Sequence, residues 1–207
     1  MQDKYNTTAY VYDLFDYPWE NTYQKWRPIF VEGMKGKIVE LGVGTGRNLP
    51  FYNASDVEEL LAVDLSPKMI EKAKLRSVDI PNLVFQVGDI SNLEGVVPSD
   101  YADFVLSSFV FCVLPTEDIQ LLALKEIHRI LKVGGKFRIF EIVFSKQSKI
   151  AYWLQWWSMP FAEWMYGARF DRSSLKQIEQ VPGLRLVSTK QLSEYDTYLL
   201  IEGEKVF

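Results

Sequence analysis

Between residues 36 and 143 short apolar runs alternate with stretches of helical periodicity. Five runs read as strands: residues 37–43 (KIVELGV), 59–65 (ELLAVDL), 83–89 (LVFQVGD), 102–109 (ADFVLSSF) and 136–143 (KFRIFEIV). They are short, rich in β-branched residues and bounded by glycine or polar residues, as buried strands are. Residues 67–76 predict a helix, with Ser66 as N-cap, Pro67 at the first helical position and Met69, Ile70 and Ala73 as the apolar face. Residues 117–131 predict a second, with Ile119, Leu122, Ala123, Ile127, Ile130 and Leu131 apolar and Gly134 and Gly135 ending it. Strands alternating with helices imply an α/β fold, a mostly parallel sheet with helices on both faces. Residues 184–192 and 197–206 return to strand pattern and lie close enough to pair as an antiparallel hairpin. With 207 residues and no internal repeat, the chain is expected to form a single domain.

Aromatic residues depart most from an ordinary composition, at 14% with 6 Trp, 11 Tyr and 13 Phe. They concentrate in two places. Tyr12, Phe15, Trp19, Tyr23, Trp26 and Phe30 recur at steps of three or four, a helical stripe that Pro18 divides. It either packs on the sheet or closes over a site. Residues 150–168 carry one charged residue, Glu163, near the length of a spanning helix, but Gln155, Ser158 and Pro160 interrupt them and Trp replaces Leu. This reads as an interfacial or lid segment rather than a membrane span. Lys146, Lys149, Arg169 and Arg172 flank it.

Charge and cysteine usage narrow the classes. One cysteine, Cys112, excludes an internal disulfide framework and a multi-cysteine zinc site, and one histidine, His128, excludes a His-rich metal site; no metal is expected. The net charge of −4 argues against nucleic acid as partner. The N-terminal MQDKYNTTAY has neither a basic nor an apolar leader region, so the cytoplasm is the expected compartment, with peripheral contact to a membrane.

The candidate chemistry lies after the first strand. Gly42, Gly44 and Gly46 let the backbone turn tightly and approach a ligand at the carboxyl edge of the sheet, and Asp64 ends the second strand twenty residues past Gly44. A carboxylate there accepts from both hydroxyls of a ribose. A dinucleotide fingerprint needs glycine where Arg47 stands, and Glu40 would oppose a pyrophosphate. Both features favour an adenosine-type ligand that carries positive charge, and disfavour an oxidoreductase.

These motifs together resemble those of class I S-adenosylmethionine-dependent methyltransferases, in the right order: VELGVGTG, AVDLS with Asp64, VGDIS with Gly88 and Asp89, and LKVGGKF with Gly134 and Gly135. The resemblance implies a Rossmann-like seven-stranded sheet ending in the antiparallel hairpin, and S-adenosyl-L-methionine as cofactor, with S-adenosyl-L-homocysteine as product. It implies cofactor contacts from Tyr5, Glu40, Gly42, Gly44, Gly46, Asp64, Leu65, Met69, Asp89, Ile90 and Ser107. Asp64 takes the ribose, Asp89 the adenine amino group, and the Ile90 backbone the ring edge. Ser107, Ser108 and Glu141 stand near the acceptor side; Tyr12 and Glu141 are the candidate catalytic residues. Tyr12 and Asp13 resemble the Tyr-Asp pair before the first motif of ubiquinone-type and phospholipid methyltransferases, whose N-terminal segment closes the site.

The resemblance divides the domain into an N-terminal aromatic lid (1–35), a cofactor-binding core (36–145), an acceptor-side aromatic insertion (146–175) and a C-terminal helix with the hairpin (176–207). The expected acceptor is hydrophobic or lipid-like, including a phospholipid amine as in bacterial phosphatidylethanolamine N-methyltransferases. A small soluble amine, thiol or hydroxyl acceptor, and a non-catalytic adenosylmethionine-binding module, remain as alternatives.

Overall fold

In the computed structural model, which describes residues 5–6, 20–76, 79–80, 82–172, 174–195 and 197–207, seven strands form one sheet in the order β3-β2-β1-β4-β5-β7-β6. The strands are β1 (Gly36–Leu41), β2 (Val57–Asp64), β3 (Leu83–Val87), β4 (Ala102–Ser108), β5 (Leu131–Ile142), β6 (Leu184–Gln191) and β7 (Tyr198–Lys205). The first five pair in parallel; β7 lies between β5 and β6, antiparallel to both. After β1 the chain builds β2 and β3 to one side, then crosses to β4 on the other. That reversal opens a crevice beyond the carboxyl ends of β1 and β4, where open parallel sheets bind ligands.

The helices are α1 (Arg27–Val31), α2 (Pro67–Leu75), α3 (Glu117–Ile130), α4 (Lys149–Tyr166) and α5 (Ser174–Ile178), with 3-10 turns at Gln24–Trp26, Leu49–Phe51 and Phe111–Val113. Ser66 and Thr116 cap α2 and α3, each hydroxyl accepting from the backbone N–H three residues on. Strand alternation sorts the core into two layers. Val39, Leu41, Val105, Phe137 and Ile139 pack with Ala123, Leu124 and Ile127 of α3. Ile38, Leu60, Ala62, Leu106 and Phe140 pack on the opposite face with Tyr23, Trp26 and Phe30. The C-terminal half of the predicted aromatic stripe is therefore core, with Phe30 tilted against Phe140 at 4.0 Å and Trp26 against Tyr198 at 5.0 Å between ring centroids. Tyr12, Phe15 and Trp19 lie outside the described residues.

One boundary differs in kind. Gly134 and Gly135 do not end α3; the helix stops at Ile130, and Leu131 already takes extended dihedrals and starts β5. The glycines sit within that strand, where the register against β4 shifts between Ala102 and Phe104. Gly134 has φ +80°, and a Cβ on Gly135 would lie 2.8 Å from the Lys132 carbonyl oxygen, so the bulge needs both.

Candidate functional site

A cavity of about 250 Å³ occupies the crevice at the carboxyl edge of the sheet. Its floor is the loop after β1. Gly42 and Val43 both donate to the Val63 carbonyl, at 2.8 and 3.0 Å, which ties the loop to β2. Gly42 (φ +73°) and Gly44 (φ +56°) hold left-handed conformations that side chains disfavour. They differ in surroundings. A Cβ on Gly42 would strike Val110 at 2.3 Å, whereas one on Gly44 would meet nothing within 4 Å.

Asp64 forms one wall. Its Oδ2 accepts from the Gly44 N–H at 2.8 Å and its Oδ1 from the Ser66 N–H at 2.9 Å. Burial raises its carboxyl above the usual range, and those backbone donors act against the shift. The Leu65 N–H also bonds to this group, and because a carboxylate offers about four lone-pair directions, capacity for a further donor remains. Leu65, Met69, Asp89, Ile90 and Ser91 continue this wall. Asp89 is fixed by an Asx turn, its Oδ1 accepting from the Ser91 N–H at 2.9 Å and the Ser91 hydroxyl at 2.7 Å.

The opposite wall contains residues that no motif announced. Arg27, Arg47, Asn48 and Tyr23 line it. Glu20 joins the two arginines: it pairs with Arg27 through two bonds of 2.7 and 2.6 Å and with Arg47 at 2.5 Å. Hydrogen bonds from and charges on both arginines hold the Glu20 carboxyl below its usual range, against the cost of its burial. Arg27 also donates to Asn48 Oδ1 at 2.5 Å, and Asn48 in turn donates to Glu40 at 2.8 Å. The periodicity that identified Tyr23 as part of an aromatic stripe was the only signal for this wall; the pairing is long-range.

Most of the remaining lining is apolar, Phe109, Val110, Val113, Leu114, Pro115 and Ile119, with Thr45 and Ser108 as polar members. Phe109 has φ +59°, a strained state for a bulky residue of the kind that clusters at functional sites. Its N–H bond to Phe140 O at 2.7 Å and its ring contacts with Tyr23 (4.5 Å) and Phe140 (4.7 Å) hold it there. One further contact joins two lining residues, Tyr5 donating to the Tyr166 carbonyl at 2.8 Å, and beside it Ser66 donates to Asn6 Oδ1 at 2.7 Å. Burial, with Cys112 and Asp64 nearby, pushes the Tyr5 hydroxyl above its usual range, so it stays protonated.

Of the residues singled out in the sequence, Tyr5, Gly42, Gly44, Asp64, Leu65, Met69, Asp89, Ile90 and Ser108 line this cavity. Gly46, Glu40, Ser107 and Glu141 do not. Gly46 packs its backbone against Leu49 and Ala73. Glu40 is fully buried beneath the floor, with its oxygens accepting from Asn48 and from Tyr52 at 2.9 Å; burial pushes its carboxyl up to about 7. There it holds Asn48, itself a lining residue, in place. Ser107 and Glu141 face the α3 side of the sheet, one strand position out of phase with Ser108. Glu141 accepts from Ser174 at 2.8 Å, and burial pushes it up to about 7. Strand parity alone distinguishes Ser107 from Ser108. Tyr12 lies outside the described residues.

Comparison with known proteins bears on this geometry. A family profile described as a methyltransferase domain matches residues 39–139. Malonyl-[acyl-carrier protein] O-methyltransferase 1 of Ilyobacter polytropus is 34% identical over 114 residues, 52% of this chain and 39% of the relative. The first curated relatives that the chain matches are thus covered over only 35% and 39% of their length. Among solved structures, the complex between the Haloferax volcanii Trm112 methyltransferase activator and a methyltransferase superposes with a TM-score of 0.72 at 20% identity, covering 100% of this chain and 97% of that one. The DhpI–SAH complex superposes with a TM-score of 0.70 at 16% identity, covering 99% and 94%.

Proposed function

On a chain that carries a class I, S-adenosylmethionine-dependent methyltransferase domain, we propose that this cavity binds S-adenosyl-L-methionine and that the protein transfers its methyl group to an apolar acceptor. The observation that carries the reading is the pairing of Asp64 with Gly44. A buried carboxylate with unspent lone pairs stands beside a backbone turn that leaves open space where a side chain would project. That cradle suits a ribose: Asp64 accepts from its hydroxyls while the glycine backbone allows close approach. Asp89 and the Ile90 backbone hold the adenine edge, and Leu65 and Met69 pack on the ring. Two guanidiniums bridged by one carboxylate, Arg27 and Arg47 with Glu20, match the carboxylate and ammonium of the amino-acid end.

When bound, the cofactor supplies an activated methyl on a sulfonium with a good leaving group. What the chain must add is alignment and a dry site; orientation of two reactants is worth up to about 7–11 kcal/mol in favourable cases. Phe109, Val110, Val113 and Ile119 exclude water and give the acceptor an apolar seat. Tyr5, bonded across to Tyr166, narrows the mouth. No proton transfer is assigned to Glu141, which does not line the cavity and is buried against Ser174. The apolar lining favours a hydrophobic or lipid-like acceptor over a small polar one, and an acceptor of that kind is met at a membrane surface.

The test is transfer of labelled methyl from S-adenosylmethionine to a panel of lipid extract, quinol precursors, amines and thiols. Label entering an organic-extractable product supports the reading. Label entering only a water-soluble acceptor overturns the acceptor class. Cofactor binding without transfer to any acceptor would leave a binding module.

A further inference from the structure

Helix α4 is the feature that cofactor binding does not explain. It runs from Lys149 to Tyr166 and buries none of its residues. At 100° per residue, Ile150, Trp153, Trp157, Phe161 and Trp164 share a face about 80° wide. Trp157 is 79% exposed, Ile150 75%, Trp164 71% and Trp153 62%. The helix continues through Pro160, so the stripe is unbroken over about four turns. The other side meets the body: Met159, Ala162 and Tyr166 pack near Phe170 and Cys112, and Gln155 bonds to the chain after β5.

Charge and residue type say what covers the outer face. From residue 146 to residue 169 the chain carries Lys146, Lys149 and Arg169 against Glu163 alone, on a molecule whose net charge is −4. Arg169 pairs with Glu163 at 3.1 Å and with Asp171 at 2.7 Å, so the net positive charge of the segment rests on Lys146 and Lys149. A basic, tryptophan-dominated face on an acidic protein is complementary to an anionic surface with an apolar layer beneath it. Tryptophan, with an apolar body and a polar N–H, is favoured at the headgroup level of a bilayer. We infer that α4 lies in the plane of an anionic membrane, its Trp153–Trp157–Trp164 face at the boundary of headgroups and acyl chains.

The orientation deepens the function proposed above and rests on it only for its consequence. Tyr166, at the end of α4, lines the cavity mouth. Docking through α4 therefore holds that mouth about one helix diameter, roughly 10 Å, from the surface from which an apolar acceptor is withdrawn. Among the described residues no helix is long and apolar enough to cross a membrane, so the contact is peripheral at this helix.

Flotation of the full chain, without cofactor, tests this. The vesicles are phosphatidylcholine alone, or two parts phosphatidylcholine to one part anionic phosphatidylglycerol. The chain is expected to float with the anionic vesicles, with tryptophan emission shifted to the blue, and to be released by salt. Lys149→Ala should lower partitioning by about fivefold, and the triple variant Trp153→Ser, Trp157→Ser, Trp164→Ser by well over tenfold. Calorimetry with S-adenosylhomocysteine shows that each variant still folds. Failure of the parent chain to float, or a triple variant that floats as well as the parent, would overturn the inference. So would light scattering that finds a parent dimer which the triple variant dissociates, because the face would then join two copies of this chain. In each case, unchanged cofactor affinity leaves the methyltransferase reading standing.

Discussion

Asp64 makes more contacts than a ribose ligand alone would require. It fixes Gly44 and Ser66 as well as facing the cavity. Asp64→Ala removes two charge-assisted bonds to the ligand, each worth about 1.5–3 kcal/mol, so affinity for S-adenosylhomocysteine should fall at least tenfold by calorimetry. The two glycines separate stability from binding. Gly42→Ala meets both the positive φ and the Val110 side chain, and should destabilise the fold by about 2–4 kcal/mol in denaturant titration. Gly44→Ala meets only the dihedral cost of about 1 kcal/mol, but its methyl projects into the cavity and should weaken ligand binding more than it lowers stability. Glu141 gives a pH test. Its native carboxyl is pushed up to about 7, against about 4.3 in an unfolded chain. The native state thus holds a proton that the unfolded state releases, and this contribution is full below the lower value and lost as pH rises through the upper one. Glu141→Gln mimics the protonated form and can still accept from Ser174. Between pH 5 and pH 8 its Tm should gain on the parent by about 4–8 °C, for a difference of about 2 kcal/mol in a domain this size, with turnover retained. Glu40, pushed up to about 7 in the same way, leaves the rest of the slope in the variant.

At the scale of elements, α4 is held by few contacts. With no buried residue of its own, its first half depends on Gln155, which accepts from the Ser145 N–H and donates to the Val143 carbonyl, both at 2.8 Å. Both backbone groups lie in the connection after β5. Gln155→Ala leaves them without those partners and should loosen α4 locally by about 1–3 kcal/mol. Hydrogen exchange should accelerate over residues 145–158 and stay unchanged in β1, β2 and β4, whose protection reflects the global core. Uniform acceleration across the sheet would show that α4 is instead part of the cooperative core.

The whole molecule has two apolar layers and one edge where polar groups are left over. A ligand that fills that edge binds only the folded state and stabilises it by mass action. At one hundred times its dissociation constant the gain is about 2.7 kcal/mol, or about 5–10 °C in Tm for a chain of this length. S-adenosylhomocysteine should produce that shift and NAD should not, because Arg47, which lines the cavity, stands where a dinucleotide loop needs glycine. A shift with NAD and none with S-adenosylhomocysteine would reverse the cofactor assignment.

Features encoded within a few residues were legible in the chain itself. Strand alternation, the Ser66 cap, the positive-φ glycines after β1 and the carboxylate ending β2 depend on local sterics and on a fixed spacing along parallel strands, so the sequence by itself determined the sheet, its C-terminal hairpin and the Gly44–Asp64 wall. Parity also held the information that Ser108 and not Ser107 turns to the cavity, although a pair of adjacent serines conceals it. The Gly134–Gly135 bulge was masked because glycines after a helical pattern signal a cap as readily as an irregular strand. Tertiary structure decided the rest. Glu40 turned out to be sealed under Asn48 and Tyr52, Arg27 and Arg47 to share Glu20, and the tryptophans of α4 to face outward. The reason is common to all three: burial and charge pairing depend on which distant segment covers a side chain, and that is settled only when the layers close around the sheet.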